Sequence, residues 1–89
     1  MKLNKDLILR KVAGEAVLVQ SGKLAQSING MITLNDVAAF IWEHIESTEN
    51  IDQLVDLIVE NFEIEKDIAL QDALGFVNMM LANNFITME

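Results

Sequence analysis

The chain has 89 residues, of which 52% are hydrophobic, and it contains no cysteine. This length and apolar content exclude a disordered chain and predict one small globular domain spanning residues 1–89. The lack of cysteine excludes a disulfide framework and a thiolate metal site. The sequence contains neither an apolar run of 18 residues nor a signal peptide, so we expect a soluble, cytoplasmic protein without a membrane partner.

The charges are distributed unevenly along the chain. Residues 1–23 hold five of the six basic residues and two of the 14 acidic ones, so Lys66 is the single base among twelve acids in the remainder. A surface this acidic repels phosphate, because nucleic-acid affinity depends on lysine and arginine displacing condensed counterions. The acids could attract a basic partner, or they could simply keep a small apolar domain soluble.

The first third of the chain has the composition of β-strands. Residues 7–12 and 15–20 are rich in branched apolar side chains, and Ala13-Gly14 between them predicts a short hairpin turn. Asn29-Gly30 marks a further turn, after which residues 31–34 form a third short strand. If the three strands form a meander, the first and the third are its edges.

After the third strand, apolar residues recur with helical spacing. Asn35 is a predicted N-cap, because its side-chain oxygen can accept a hydrogen bond from a free amide of the first turn. The spacing predicts helices over residues 36–46, 51–61 and 66–83. In the last helix the apolar residues cover an arc of roughly 160°, which could serve a core on one flank and a partner on the other.

The order of these elements determines the expected fold. Three short antiparallel strands precede three helices, and residues 85–88 follow as an extended tail that could pack back on the domain. This order predicts an α+β fold of the winged helix-turn-helix type.

The sequence contains no recognisable catalytic constellation. His44 is the single histidine, and without a nucleophile motif around it we interpret it as a surface or partly buried structural residue. The acidic residues between positions 60 and 67 lack the glycine and the alternating ligands of a calcium loop. Trp42 is interpreted as a core anchor. We therefore expect no enzymatic activity, no metal site and no cofactor.

Several residues recur at a distinctive spacing: Leu34, Asn35, Ala38, Ile41 and Trp42, then Leu54 and Val55, then Asp72, Phe76 and Val77, and finally Phe85 and Ile86. This pattern resembles the PqqD-like family, named after pyrroloquinoline quinone synthesis protein D, and it extends from about Glu15 to Ile86. The family usually has leucine in place of Val77 and glycine in place of Asn84. Asparagine can adopt the same left-handed backbone conformation as glycine.

The resemblance implies a non-catalytic peptide chaperone, a recognition element for ribosomally synthesised and modified peptides. Family members bind the leader of a precursor peptide by β-strand addition and present it to a modifying enzyme, often a radical S-adenosylmethionine enzyme. The open edge would comprise Met31, Ile32, Thr33 and Leu34, and the groove wall would comprise Ile68, Asp72, Phe76 and Met79.

Two other functions stay open. A DNA-binding winged-helix regulator would need basic residues on the exposed face of the third helix, and none follows Lys66. A small adaptor or structural subunit would dimerise through its apolar surface, although a homodimer is also compatible with peptide binding.

Overall fold

The computed structural model describes residues 1–20 and 32–88. These ranges contain strands β1 (Lys2–Leu3), β2 (Leu7–Val12), β3 (Glu15–Gln20), β4 (Ile32–Leu34) and β5 (Ile86–Thr87), and helices α1 (Asp36–His44), α2 (Ile51–Phe62) and α3 (Lys66–Ala82). The predicted α+β fold is confirmed: a three-stranded antiparallel sheet precedes three helices. Met31 and the predicted turn at Asn29-Gly30 lie outside the described residues.

The sheet has the strand order β2–β3–β4. β2 and β3 form a hairpin whose last pair is Val12 with Glu15, so its turn consists of Ala13 and Gly14 as the sequence predicts. Both turn residues have positive φ, 52° and 82°, as in the two-residue turns that match the twist of paired strands. This backbone suits Gly14 and strains Ala13, since a Cβ atom disfavours the left-handed region.

The sheet packs on the helices through one of its faces. The inner face carries apolar residues from all three strands: Leu7, Leu9, Ala16, Leu18, Ile32 and Leu34. These alternate along each strand, as side chains of a half-buried sheet do. The opposite face leaves Ile8 and Val12 more than 40% exposed. The core therefore lies on the inner side, between the sheet and the three helices.

A second, two-stranded sheet joins the N-terminal and C-terminal segments. β1 and β5 pair antiparallel, with Lys2 opposite Thr87 and Leu3 opposite Ile86. The backbone N–H of Asn4 donates to the Phe85 carbonyl at 2.8 Å, which continues the pairing by one hydrogen bond. The extended tail predicted at residues 85–88 does pack back, but its partner β1 was not predicted. Two residues are too few to show a strand periodicity.

Polar side chains set the helix boundaries. Asn35 and Asn50 accept hydrogen bonds from the amides of Ala38 and Gln53, at 2.8 and 2.9 Å, and so cap α1 and α2. Helix α1 ends at His44, before the predicted boundary at residue 46, and a 3₁₀ turn follows over Ile45–Ser47. The hydroxyls there satisfy the last carbonyls: Ser47 donates to His44 and Thr48 donates to Ile45.

Helix α3 contributes small and flexible side chains to the core. Ala69, Ala73, Val77 and Met80 are buried, at positions three or four residues apart that share one face. The helix ends at Ala82, and Asn84 has a φ of 60°, which confirms that asparagine takes the left-handed conformation there. Within residues 1–20 and 32–88, no helix has the length and hydropathy needed to cross a membrane.

Replacing Ala13 with asparagine should stabilise the fold. Ala13 adopts the left-handed conformation at the hairpin turn, which costs roughly 1 kcal/mol for an ordinary residue and less for asparagine. We expect Ala13→Asn to raise the free energy of unfolding by about 0.5–1 kcal/mol. Urea denaturation measures the change, and Ala13→Val should shift it in the opposite direction. Equal stability of both variants would contradict the strain at this turn.

Removing the α1 cap should destabilise the protein. Asn35→Ala deletes the acceptor of the Ala38 amide, so we expect a loss of about 1 kcal/mol in the free energy of unfolding. Asn35→Asp keeps an acceptor at this position and should stay within a few tenths of a kcal/mol of the wild type. Chemical denaturation of both variants tests the assignment. A similar loss in both would show that the cap is not the cause.

Candidate functional site

The strand β4 forms one edge of the three-stranded sheet. It pairs with β3 through Ile32–Leu18, Thr33–Val17 and Leu34–Ala16, and among the described residues no strand pairs with its other side. Leu34 is buried and Ile32 is half-buried, while Thr33 is exposed on the opposite face. Among the described residues, the main-chain groups on the outer side of β4 therefore have no strand partner. We call residues 32–34 the β4 edge.

A groove begins where β4 ends, between helices α1 and α3. Its volume is about 220 Å³, and its lining residues are Asn35, Val37, Ala38, Ile41, Asp72 and Phe76. Ile41 is fully buried, whereas Val37, Ala38 and Phe76 are half-buried. The α1–α3 groove is thus an apolar slot with one carboxylate, Asp72, on its α3 side.

The structure separates the four residues that were predicted to form the groove wall. Asp72 and Phe76 line the α1–α3 groove. Ile68 and Met79 share the same stripe of α3, because positions three or four apart are neighbours on a helix, but they do not line this groove. Their side chains are 49% and 37% exposed, so the stripe continues the groove as an apolar surface along α3.

The edge residues have unequal roles. Ile32 and Thr33 are at least partly accessible, but the Leu34 side chain is 6% exposed and packs in the core. Leu34 can therefore offer a ligand its main chain and little of its side chain. Met31, the fourth predicted edge residue, lies outside the described residues.

Sequence reasoning missed the α1 side of the groove. Val37, Ala38 and Ile41 share one face of α1, and that spacing alone does not distinguish a core face from a groove wall. Asn35 is a predicted cap, and the structure shows that it both caps α1 and lines the groove. The helical spacing shows which residues share a face, but it does not show that α3 leaves part of this face uncovered.

A second depression lies beside the same end of β4, against the β2–β3 hairpin turn. It has a volume of about 550 Å³ and is lined by Gly14, Glu15, Ala16, Thr33, Leu34, Asn35 and Asp36. We call it the hairpin depression. The charged residues that line it are acidic, as is Asp72 in the α1–α3 groove. Among the described residues, both cavities therefore present carboxylates and no cationic side chain.

The other flank of α3 also carries apolar side chains. Leu74, Val77 and Leu81 face a groove of about 320 Å³ that reaches Ile51 at the start of α2. We call this the α2–α3 groove. The broad apolar arc predicted for α3 is thus divided: its centre is buried in the core, and each flank lines a different groove.

The residues considered for catalysis and for DNA binding make contacts within the fold. His44 is half-buried, its Nδ1 atom lies 2.8 Å from the Phe40 carbonyl, and its ring stacks on the Phe40 ring. Trp42 is 4% exposed, which confirms its role as a core anchor. The Lys66 ammonium lies 3.9 Å from Asp56, and no other base occurs in α3. This charge distribution does not suit a DNA-recognition helix.

Comparisons with known proteins agree with this architecture. The solved structure of TbiB1 in complex with the TbiA(beta) leader peptide is similar to this chain, with a TM-score of 0.74 and 18% sequence identity. The similarity covers 100% of this chain and 98% of that one, which shows a shared fold. No curated protein sequence matches the chain significantly.

A protein-family model supplies the classification. The model described as coenzyme PQQ synthesis protein D (PqqD) matches residues 15–86. The match begins at the first residue of β3 and ends in β5, so it contains β4, all three helices and the α1–α3 groove. The chain therefore belongs to the PqqD family.

Proposed function

We propose that this protein binds the leader segment of a ribosomally synthesised precursor peptide and presents it to a modifying enzyme. The observation that carries the proposal is an edge strand, β4, with an apolar groove starting at its end. An edge strand is a template for a further strand, and β-addition is a common mode of peptide recognition. A protein of the same fold, TbiB1, is known in complex with a leader peptide, which supports this assignment.

The proposed binding mode divides affinity and selectivity between two surfaces. The leader would extend the sheet by hydrogen bonding to the outer amides and carbonyls of the β4 edge. Alternate side chains of a strand point to the same face, so every second leader residue would face the helices. One of these would enter the α1–α3 groove between Val37 on α1 and Phe76 on α3.

We assign the chemistry to a partner enzyme, and membership of the PqqD family makes a radical S-adenosylmethionine enzyme the expected partner. His44 is held by the Phe40 carbonyl and ring, away from the groove lining. The described groove residues offer shape, apolar contact and one carboxylate, which are the means of binding and not of bond cleavage.

An NMR titration tests the proposed function directly. Candidate precursor peptides encoded near the gene are added to ¹⁵N-labelled protein, and amide shifts are followed. We expect shifts in residues 32–38 and around Asp72 and Phe76. Shifts confined to the α2–α3 groove would overturn the proposed site, and no response to any such peptide would overturn the function.

Proline substitutions test strand addition at the β4 edge. In an antiparallel pair, successive amides point alternately towards the partner strand and away from it, so one of Ile32 and Thr33 donates outward. We expect the proline variant at that position to bind its peptide about tenfold more weakly, since one main-chain hydrogen bond of about 1–1.5 kcal/mol is lost. The variant at the other position loses a bond to β3 and should lower the melting temperature more.

The opposite edge of the sheet provides the matched control. β2 is the other outer strand, so Arg10→Pro and Lys11→Pro make the same pair of changes there. In whichever of these two variants stays folded, we expect the peptide affinity to equal that of the wild type. Full affinity in both Ile32→Pro and Thr33→Pro, measured by calorimetry, would rule out β-addition at β4.

Filling the groove should block binding without unfolding the protein. Ala38 is half-buried and lines the α1–α3 groove, and leucine is a good helix former. We expect Ala38→Leu to reduce peptide affinity at least tenfold and to change stability by less than about 1 kcal/mol. Asn78→Leu, which places the same side chain in the α2–α3 groove, serves as the control. Unchanged affinity in Ala38→Leu would exclude this groove.

A further inference from the structure

Among the described residues, the charged side chains that line the two cavities beside β4 are all acidic. Asp72 lines the α1–α3 groove, Glu15 and Asp36 line the hairpin depression, and no lysine or arginine of the described residues lines either surface. Asp72 is exposed, and among the described residues it has no ion-pair partner. Its neighbours in the groove are mostly apolar: Val37, Ala38, Ile41 and Phe76.

A peptide that covers this groove would remove water from the Asp72 carboxylate. Loss of hydration is costly for a charged group unless the ligand supplies a partner for it. Lysine and arginine are suited to this task, because their aliphatic stems can pack on an apolar wall while the charged head reaches the carboxylate. An acidic residue at the same place would add like-charge repulsion to the desolvation.

We propose that the leader bound by this protein carries a lysine or arginine that pairs with Asp72. The basic residue lies two positions from an apolar residue that fills the α1–α3 groove, because residues two apart on a strand share a face. Glu15 and Asp36 extend the preference for positive charge towards the hairpin depression. This inference rests on the proposed peptide-binding function and specifies the class of peptide that the site accepts.

The net charge of −8 acts in the same direction. A surface with one sign of charge raises the encounter rate of oppositely charged ligands, and salt reduces the effect. Asp72 differs from Glu15 and Asp36 because it lines the α1–α3 groove, so it can select one position of the peptide.

Selection from a peptide library tests the inference without knowledge of the natural leader. Random 12-residue peptides displayed on mRNA are selected against wild-type protein, Asp72→Lys and Asp72→Asn. The control is Glu60→Lys, which makes the same charge change at an exposed residue on the face of α2 opposite its buried side chains. Circular dichroism establishes that each variant is folded.

We expect the wild type and Glu60→Lys to enrich lysine or arginine two positions from a large apolar residue. Asp72→Asn should lose this enrichment, and Asp72→Lys should favour glutamate or aspartate at that position. For one selected peptide, changing its basic residue to glutamate should weaken binding to the wild type at least tenfold, and Asp72→Lys should restore it.

Other results would distinguish a failure of the Asp72 pairing from a failure of the peptide-binding function. Peptides that bind all four proteins with the same charge preference, but fail to bind the edge variant Ile32→Pro or Thr33→Pro, would overturn the role of Asp72 and leave the peptide-binding function in place. A library that yields no peptide above the protein-free background would overturn both.

Discussion

The Asn35 side chain accepts a hydrogen bond from the Ala38 amide at 2.8 Å, and this contact connects the end of β4 to the start of α1. Leu34 on one side of the joint is buried under the helices, and Ile41 on the other side is fully buried in the same core. The cap fixes the direction in which α1 leaves the sheet. The β4 edge and the α1 wall of the groove consequently have one defined orientation relative to each other, as the proposed peptide site requires.

Helix α3 determines the shape of the opposite wall. Its central stripe contains Ala69 and Ala73, whose small side chains allow the helix to pack closely on the rest of the core. Close packing there brings the adjacent stripe, with Asp72 and Phe76, beside α1. A slot remains because the half-buried Ala38 does not fill the space between the helices. Ala69 and Ala73 thus allow close packing in the core, whereas Ala38 leaves an opening at its border.

An edge strand carries a risk of aggregation, and the charge distribution counteracts it. Unpaired main-chain groups on an outer strand can pair with any extended chain. Around β4 the charged lining residues are the acids Glu15, Asp36 and Asp72, so a second copy that approaches through this region meets like charge. A leader with a basic residue would meet opposite charge. The acidic composition can therefore favour a peptide over self-association at the same edge.

Local sequence patterns were sufficient to predict most of the fold. The hairpin at Ala13-Gly14, the cap at Asn35 and the three helices follow from hydrogen-bonding groups and apolar periodicity within a few residues of sequence. The family resemblance rested on such spacings too, and the match over residues 15–86 confirms it. The pairing of β1 with β5 was not predictable, because two-residue strands have no periodicity and their contact joins opposite ends of the chain.

The candidate site could be identified only from the tertiary structure, for a related reason. The family resemblance implied a groove wall of Ile68, Asp72, Phe76 and Met79, and helical spacing allows these residues to share one stripe of α3. The sequence by itself did not determine which part of that stripe meets α1, nor that Val37, Ala38 and Ile41 form the facing wall. A groove is space left between two elements, so its position depends on how closely their side chains pack. That packing is decided when the helices assemble and is not encoded in the periodicity of either helix alone.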